Sequence, residues 1–134
     1  MERTLLQDVN EGVNLSIQLR PGFAQPAPPA LTLARKYGTS SDLALLKLSI
    51  LARKGIPMQR LMLGTCYRDR HYVAIVKSSC KSWWFGKKHP CLLVLDCHTN
   101  RIYRLLQTRY GVREYSLAIS PYAAVLLSAE DSPS

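Results

Sequence analysis

Tyr37-Gly38-Thr39-Ser40-Ser41-Asp42-Leu43-Ala44-Leu45-Leu46 is the stretch on which the fold turns. Hydroxyl residues and an aspartate stand directly before a dense apolar run. Ser40 or Ser41 is a good N-cap, because a hydroxyl accepts hydrogen bonds from the unpaired amides of a helix's first turn. Asp42 in that turn suits the positive end of the helix dipole. Leu43, Leu46, Ile50 and Leu51, with Ala44 and Leu45, make a wide apolar face and predict a central buried helix. Lys47, Arg53 and Lys54 take the remaining surface, and Gly55-Ile56-Pro57 stops the helix.

Toward the N-terminus, Leu5, Val9, Val13 and Ile17 recur every four residues and predict a helix over 4–18. Asp8, Asn10, Glu11 and Asn14 supply its wet face. Pro21, Pro26, Pro28 and Pro29 make 21–30 an extended connector. Residues 30–37 read as a short helix stopped at Gly38.

Toward the C-terminus the period becomes strand-like. Strands are predicted at 60–67, 71–77, 91–96, 101–106 and 113–119, followed by a short apolar segment at 122–127. Helices first and strands afterwards imply an α+β fold, with N-terminal helices packed on an antiparallel sheet. The chain reads as one domain, 1–134, with a frayed tail from about 128.

A chain of 134 residues buries roughly 65–70% of its unfolded surface, enough for a real core. No apolar run approaches the ~20 residues of a membrane span. Met1-Glu2-Arg3-Thr4-Leu5 lacks a signal-peptide pattern, so the expectation is a cytoplasmic protein or an exported one without its leader. The net charge is +9, and 14 Lys and Arg fall between Leu43 and Arg113 against only Asp69 and Asp96. Such a field attracts acidic partners, although a solvated basic surface explains it equally well.

Cys66, Cys80, Cys91 and Cys97 do not form two CxxC pairs, which argues against a zinc ribbon. Cys80 and Cys91 flank a predicted hairpin and are placed to pair in an oxidising compartment. Cys80, His89, Cys91, Cys97 and His98 are too irregularly spaced for a metal centre, and no residue is assigned to a metal. Trp83-Trp84-Phe85, ringed by Lys77, Lys81, Lys87 and Lys88, is an aromatic hairpin tip. It suits a protein partner or a membrane surface, unless the aromatics fold back onto the sheet. No RNP, KH or helix-turn-helix signature argues for nucleic acid.

Ser40 has a hydrolytic context. A nucleophile needs a base within reach and donors for the oxyanion formed on attack. A helix N-terminus supplies free amides and positive potential. His71 opens a strand and can act as the base, while Asp96 closes another and can orient the imidazole. Taken singly, these residues read as a cap, a surface histidine and a turn aspartate. Their order gives them meaning.

Gly38-Thr39-Ser40-Ser41-Asp42-Leu43-Ala44, Gly55-Ile56-Pro57, Leu61-Met62-Leu63, His71-Tyr72-Val73 and Leu93-Val94-Leu95-Asp96 together resemble the bacterial transglutaminase-like cysteine proteinases, the group of the LapG-type periplasmic proteases. The helix with Val9-Asn10 and Val13-Asn14 resembles the family's first helix, and the likeness runs over roughly 5–120. It implies a papain-like fold, a protein substrate or protein partner, and a periplasmic setting. It places Ser40 at the nucleophilic cysteine, His71 at the base and Asp96 at the orienting acid. Ser41 and Asp42 fall beside the reacting atoms, and the amides of residues 40 and 41 are placed in the oxyanion hole. Thr39 and Ser41 replace two acids that help bind calcium in LapG-type members, which implies loss of that site and no cofactor. The family's Trp-containing segment before the motif is missing from 26–36.

Three readings of Ser40 compete: a substituted cysteine that traps an inactive enzyme, a natural pseudoenzyme that binds without cleaving, and a working serine nucleophile. The third is the weakest, because an unactivated hydroxyl lacks the low pKa of a thiol.

Overall fold

The apolar run that begins at Leu43 forms the helix around which the rest of the chain packs. The structure is a computed structural model and describes residues 2–67, 70–81, 86–105 and 117–131. In chain order the elements begin with α1 (Glu2–Ser16), β1 (Gln18–Leu19), α2 (Pro29–Arg35), β2 (Tyr37–Gly38) and α3 (Ser40–Arg53). A 3-10 turn (Met58–Arg60) leads into β3 (Leu61–Cys66), β4 (His71–Lys81), β5 (Lys88–Leu95), β6 (Tyr103–Leu105), β7 (Leu117–Pro121) and α4 (Tyr122–Asp131).

Five strands form one antiparallel sheet in the order β6-β5-β4-β3-β7. Helix α3 packs on β4 and β3, with α1, α2 and α4 also against it. Helix-facing Leu61, Leu63, Tyr72, Ala74, Val76, Leu93 and Leu95 join Leu43, Leu45, Leu46, Leu48 and Leu51 in the main core. Full burial of each such leucine contributes about 1.5–3 kcal/mol. Val73, Ile75 and Val94 alternate onto the other face and form a smaller cluster with Met62, Leu92 and Leu105. Helices on an antiparallel sheet are the α+β arrangement predicted from the sequence.

Several boundaries differ for physical reasons. The N-cap of α3 is Thr39, not Ser40 or Ser41; Thr39 and Asp42 form a capping box. Helix α2 ends at Arg35 and is capped at Lys36, two residues before Gly38; Lys36 takes the left-handed conformation at φ 62°. Gly38 serves close packing instead, since a Cβ there would lie 2.6 Å from Asp42 Cβ. Strand β1 pairs in parallel with β2, tying the end of the first helical segment to the mouth of α3. The expected frayed tail is helical through Asp131, with Ala129 buried against the core. Lys47 and Asn10, expected on wet faces, are 1% and 0% exposed.

Candidate active site

Ser40 is the first residue of α3 and is 5% exposed. Its Oγ accepts a hydrogen bond from the backbone N–H of Tyr72 at 3.0 Å. The helix mouth is thereby stitched to the first residues of β4, immediately beside His71. The wider cap is held by Asp42. Its carboxylate accepts from the amides of Ala27 at 2.7 Å and Thr39 at 2.9 Å, and from the Arg35 guanidinium at 3.0 Å. One buried carboxylate thus joins the proline-rich connector, α2 and the cap of α3.

Antiparallel pairing of β4 with β5 brings the start of one strand to the end of the other. His71 begins β4 and Asp96 follows β5, so the two meet at one end of the sheet. His71 Nε2 lies 3.5 Å from Asp96 Oδ2. The same Oδ2 accepts from the Tyr103 hydroxyl at 3.1 Å, and Oδ1 accepts from the His98 backbone N–H at 3.1 Å. Burial alone pushes the Asp96 carboxyl up. The His71, His98 and Tyr103 contacts outweigh it and hold the group down at about 2. Asp96 is therefore a carboxylate at neutral pH.

Helix α1 fixes the turn that carries Asp96. Asn14 Nδ2 donates to the Asp96 carbonyl at 3.0 Å, and Asn10 Nδ2 donates to the Thr99 carbonyl at 3.0 Å. Asn14 reaches Asn100 Oδ1 as well, at 3.2 Å. These asparagines read as wet-face residues in the sequence. Their four-residue spacing, identical to that of Val9 and Val13, is the signal that both meet one neighbouring element.

Ser40, His71 and His98 line one open cavity of about 410 Å³, together with Arg20, Gly22 and Arg70. The Arg20 guanidinium sits 3.7 Å from the Tyr37 ring centroid, and that of Arg70 is 5.5 Å from the Phe23 ring. Aromatic stacking of this kind holds both cations near the cavity.

Other predicted site residues lie elsewhere. Ser41 is fully buried, and its Oγ is 2.9 Å from Thr39 Oγ1. Neither Ser41 nor Asp42 lines the cavity; both build the cap. Lys87 and Lys88 are exposed near the β4–β5 hairpin tip, while Trp83 and Trp84 lie outside the described residues. Cys80 and Cys91 form a disulfide across that hairpin.

Two groups near Asp96 escaped the sequence reading. Burial lowers the Lys47 ammonium to about 8, against the attraction of Cys97 and Asp96. The signal was the apolar run on both sides of it, which marks a helix buried nearly all round. Cys97, by contrast, is raised to about 11 by burial and by the Asp96 charge. It remains a thiol at neutral pH and is a poor substitute nucleophile for position 40.

No protein-family model and no curated protein matches the sequence. Solved structures do share the fold. Calcium-bound LapG of Legionella pneumophila superposes with a TM-score of 0.59 at 17% identity, covering 89% of this chain and 63% of that one. The EGTA-treated form of Legionella pneumophila LapG gives 0.58 at 18%, covering 78% and 56%. The chain thus has the α+β fold of these LapG structures, as its motifs led us to expect, and spans about three-fifths of their length.

Proposed function

We propose that this domain is an amide-bond hydrolase of the cysteine-peptidase type, with Ser40 at the nucleophile position, His71 as base and Asp96 as orienting acid. As it stands, with serine, it binds a protein chain and cleaves it slowly or not at all. The observation that carries this reading is the meeting of the α3 mouth with the His71–Asp96 pair at one cavity. Ser40 opens α3, His71 opens β4 and Asp96 follows β5, so three separate stretches of chain supply the site.

In this reading His71 turns Nε2 toward Asp96, which leaves Nδ1 to take the proton from position 40. Asp96, ionised, stabilises the imidazolium that results. The amides of residues 40 and 41, at the free end of α3, receive the oxyanion. His71 then returns the proton to the leaving amine. A serine hydroxyl slows the first step, because no low thiol pKa assists it.

Calcium, bound in one of the LapG structures, does not suit the residues of this helix mouth. The Thr39 and Ser41 hydroxyls are bonded to each other, and Asp42 is spent on Arg35 and two amides. A hard dication needs several free carboxylate or carbonyl oxygens. We derive no step through calcium.

Arg20 and Arg70 beside the cavity favour an acidic segment of the bound protein. The Cys80–Cys91 disulfide supports an oxidising setting such as the periplasm. Among the described residues, no helix is long and apolar enough to cross a membrane.

A binding-only module on the same fold is the second reading, favoured by the Ser40 hydroxyl itself and served by exposed Lys87 and Lys88 at the hairpin. Incubating the Ser40→Cys and Ser40→Ala proteins with an unstructured acidic protein separates the two. Hydrolysis is expected from Ser40→Cys alone; equal inactivity of both favours the binding module.

A further inference from the structure

The His98 amide serves the His71–Asp96 pair, and its imidazole lies against the pair as well. The two imidazole centroids are 5.3 Å apart. One ligand-type atom each from His71, Asp96 and His98 lies within 4.8 Å of the others. We propose that these three side chains form a binding site for a divalent transition cation of the zinc type, with a further coordination position open to the cavity.

The donor set selects the class of ion. Two imidazoles and one carboxylate suit a borderline-soft transition metal, whereas calcium and magnesium require oxygen ligands. Spacing agrees. Ligands about 2.0–2.1 Å from a tetrahedral zinc lie roughly 3.3 Å from one another. His71 Nε2 and Asp96 Oδ2 are 3.5 Å apart, longer than a good hydrogen bond and close to one edge of that tetrahedron.

Support behind the ligands is already built. The Asp96 carboxylate is oriented by the His98 amide and the Tyr103 hydroxyl. Asn14 and Asn10 hold the carbonyls of Asp96 and Thr99, the residues that bracket His98 in the turn. Such outer contacts hold ligand geometry before the metal arrives. His98 is exposed and lines the open cavity, so the ion has a route in. Arg20 and Arg70 on the same wall oppose a cation and limit affinity. The assignment rests on geometry alone and does not depend on hydrolysis. Where the hydrolase reading holds, metal and proton transfer compete for the same imidazole of His71.

Calorimetric titration of the full chain with zinc chloride tests the site without any substrate. One ion per chain is expected, and His98→Ala is expected to weaken binding at least about tenfold. Since His98 is exposed, His98→Ala should melt at the wild-type temperature without metal, which separates ligand loss from unfolding. Cys97→Ser should bind like wild type, and a cobalt-loaded sample should show no sulfur-to-metal charge-transfer band. Absence of binding, equal affinity in His98→Ala, or a sulfur band overturns the proposal.

Discussion

The Ser40 hydroxyl accepts the Tyr72 backbone N–H at 3.0 Å, so the first residue of the central helix is bonded to the residue after His71. Residues 32 positions apart are locked side by side by one bond. Helix α3 and strand β4 form the frame on which the proposed chemistry rests.

Asp96 links acid sensitivity to the site. Its folded value of about 2 lies below the ordinary 3.8, so the folded chain binds fewer protons than the unfolded one between those values. The stability it contributes is present above pH 3.8 and lost as pH falls toward 2. Urea melts of wild type and Asp96→Asn across this range should differ by on the order of 2 kcal/mol at the upper end and converge at the lower. A pH-independent difference would count against the contacts assigned to the carboxylate.

Lys47 gives a slope of the same sign at the alkaline side, there as the relief of a burial penalty. Its folded value of about 8 lies below 10.5, so unfolding takes up a proton at this side chain between those values. Stability therefore rises with pH through that window, because the buried ammonium is charged below it. Lys47→Met should be more stable than wild type near pH 7 by on the order of 2 kcal/mol, with the gap closing toward pH 10.5. Denaturant melts at both ends of the window measure it.

Gly38 admits no side chain. A Cβ would meet Asp42 Cβ at 2.6 Å and Oδ2 at 2.8 Å, and that carboxylate holds three partners. Gly38→Ala should cost about 1–3 kcal/mol, read as a lowered thermal midpoint. Gly12, where nothing lies within 4 Å of the added carbon, is the control: Gly12→Ala in α1 should be neutral or stabilising.

The disulfide closes the β4–β5 hairpin over a sequence separation of 11. Replacing Cys80 and Cys91 together by serine should lower stability by roughly 2–3 kcal/mol. Free-thiol titration of the unfolded wild-type protein checks the pairing, with two reactive cysteines, Cys66 and Cys97, expected before reduction and four after.

Much of this was legible in the sequence where one local pattern decided the outcome. The apolar run from Leu43 to Leu51 marks the central helix, and the strand-like stretches 60–67 and 71–77 mark two strands of its sheet, the second of which runs on to Lys81. Ser40, His71 and Asp96 can be singled out in the sequence because each stands at an element boundary. The sequence shows the Asp42 carboxylate beside Ser40 but not that Ala27 and Arg35 fold back onto it. Lys47 and Asn10 were read as wet because their burial is set by the whole bundle and not by their neighbours in sequence. His98 was set among cysteines, whereas the turn after β5 brings it to His71.

The central claim is that position 40 is the nucleophile position of a site served by His71. The pH dependence of iodoacetamide alkylation of Ser40→Cys, localised by mass spectrometry, tests it without a substrate. The account predicts a thiol at position 40 with a pKa well below the ordinary ~8.5, rising toward that value when His71→Ala is added. A thiol of ordinary pKa, indifferent to His71→Ala, would contradict it.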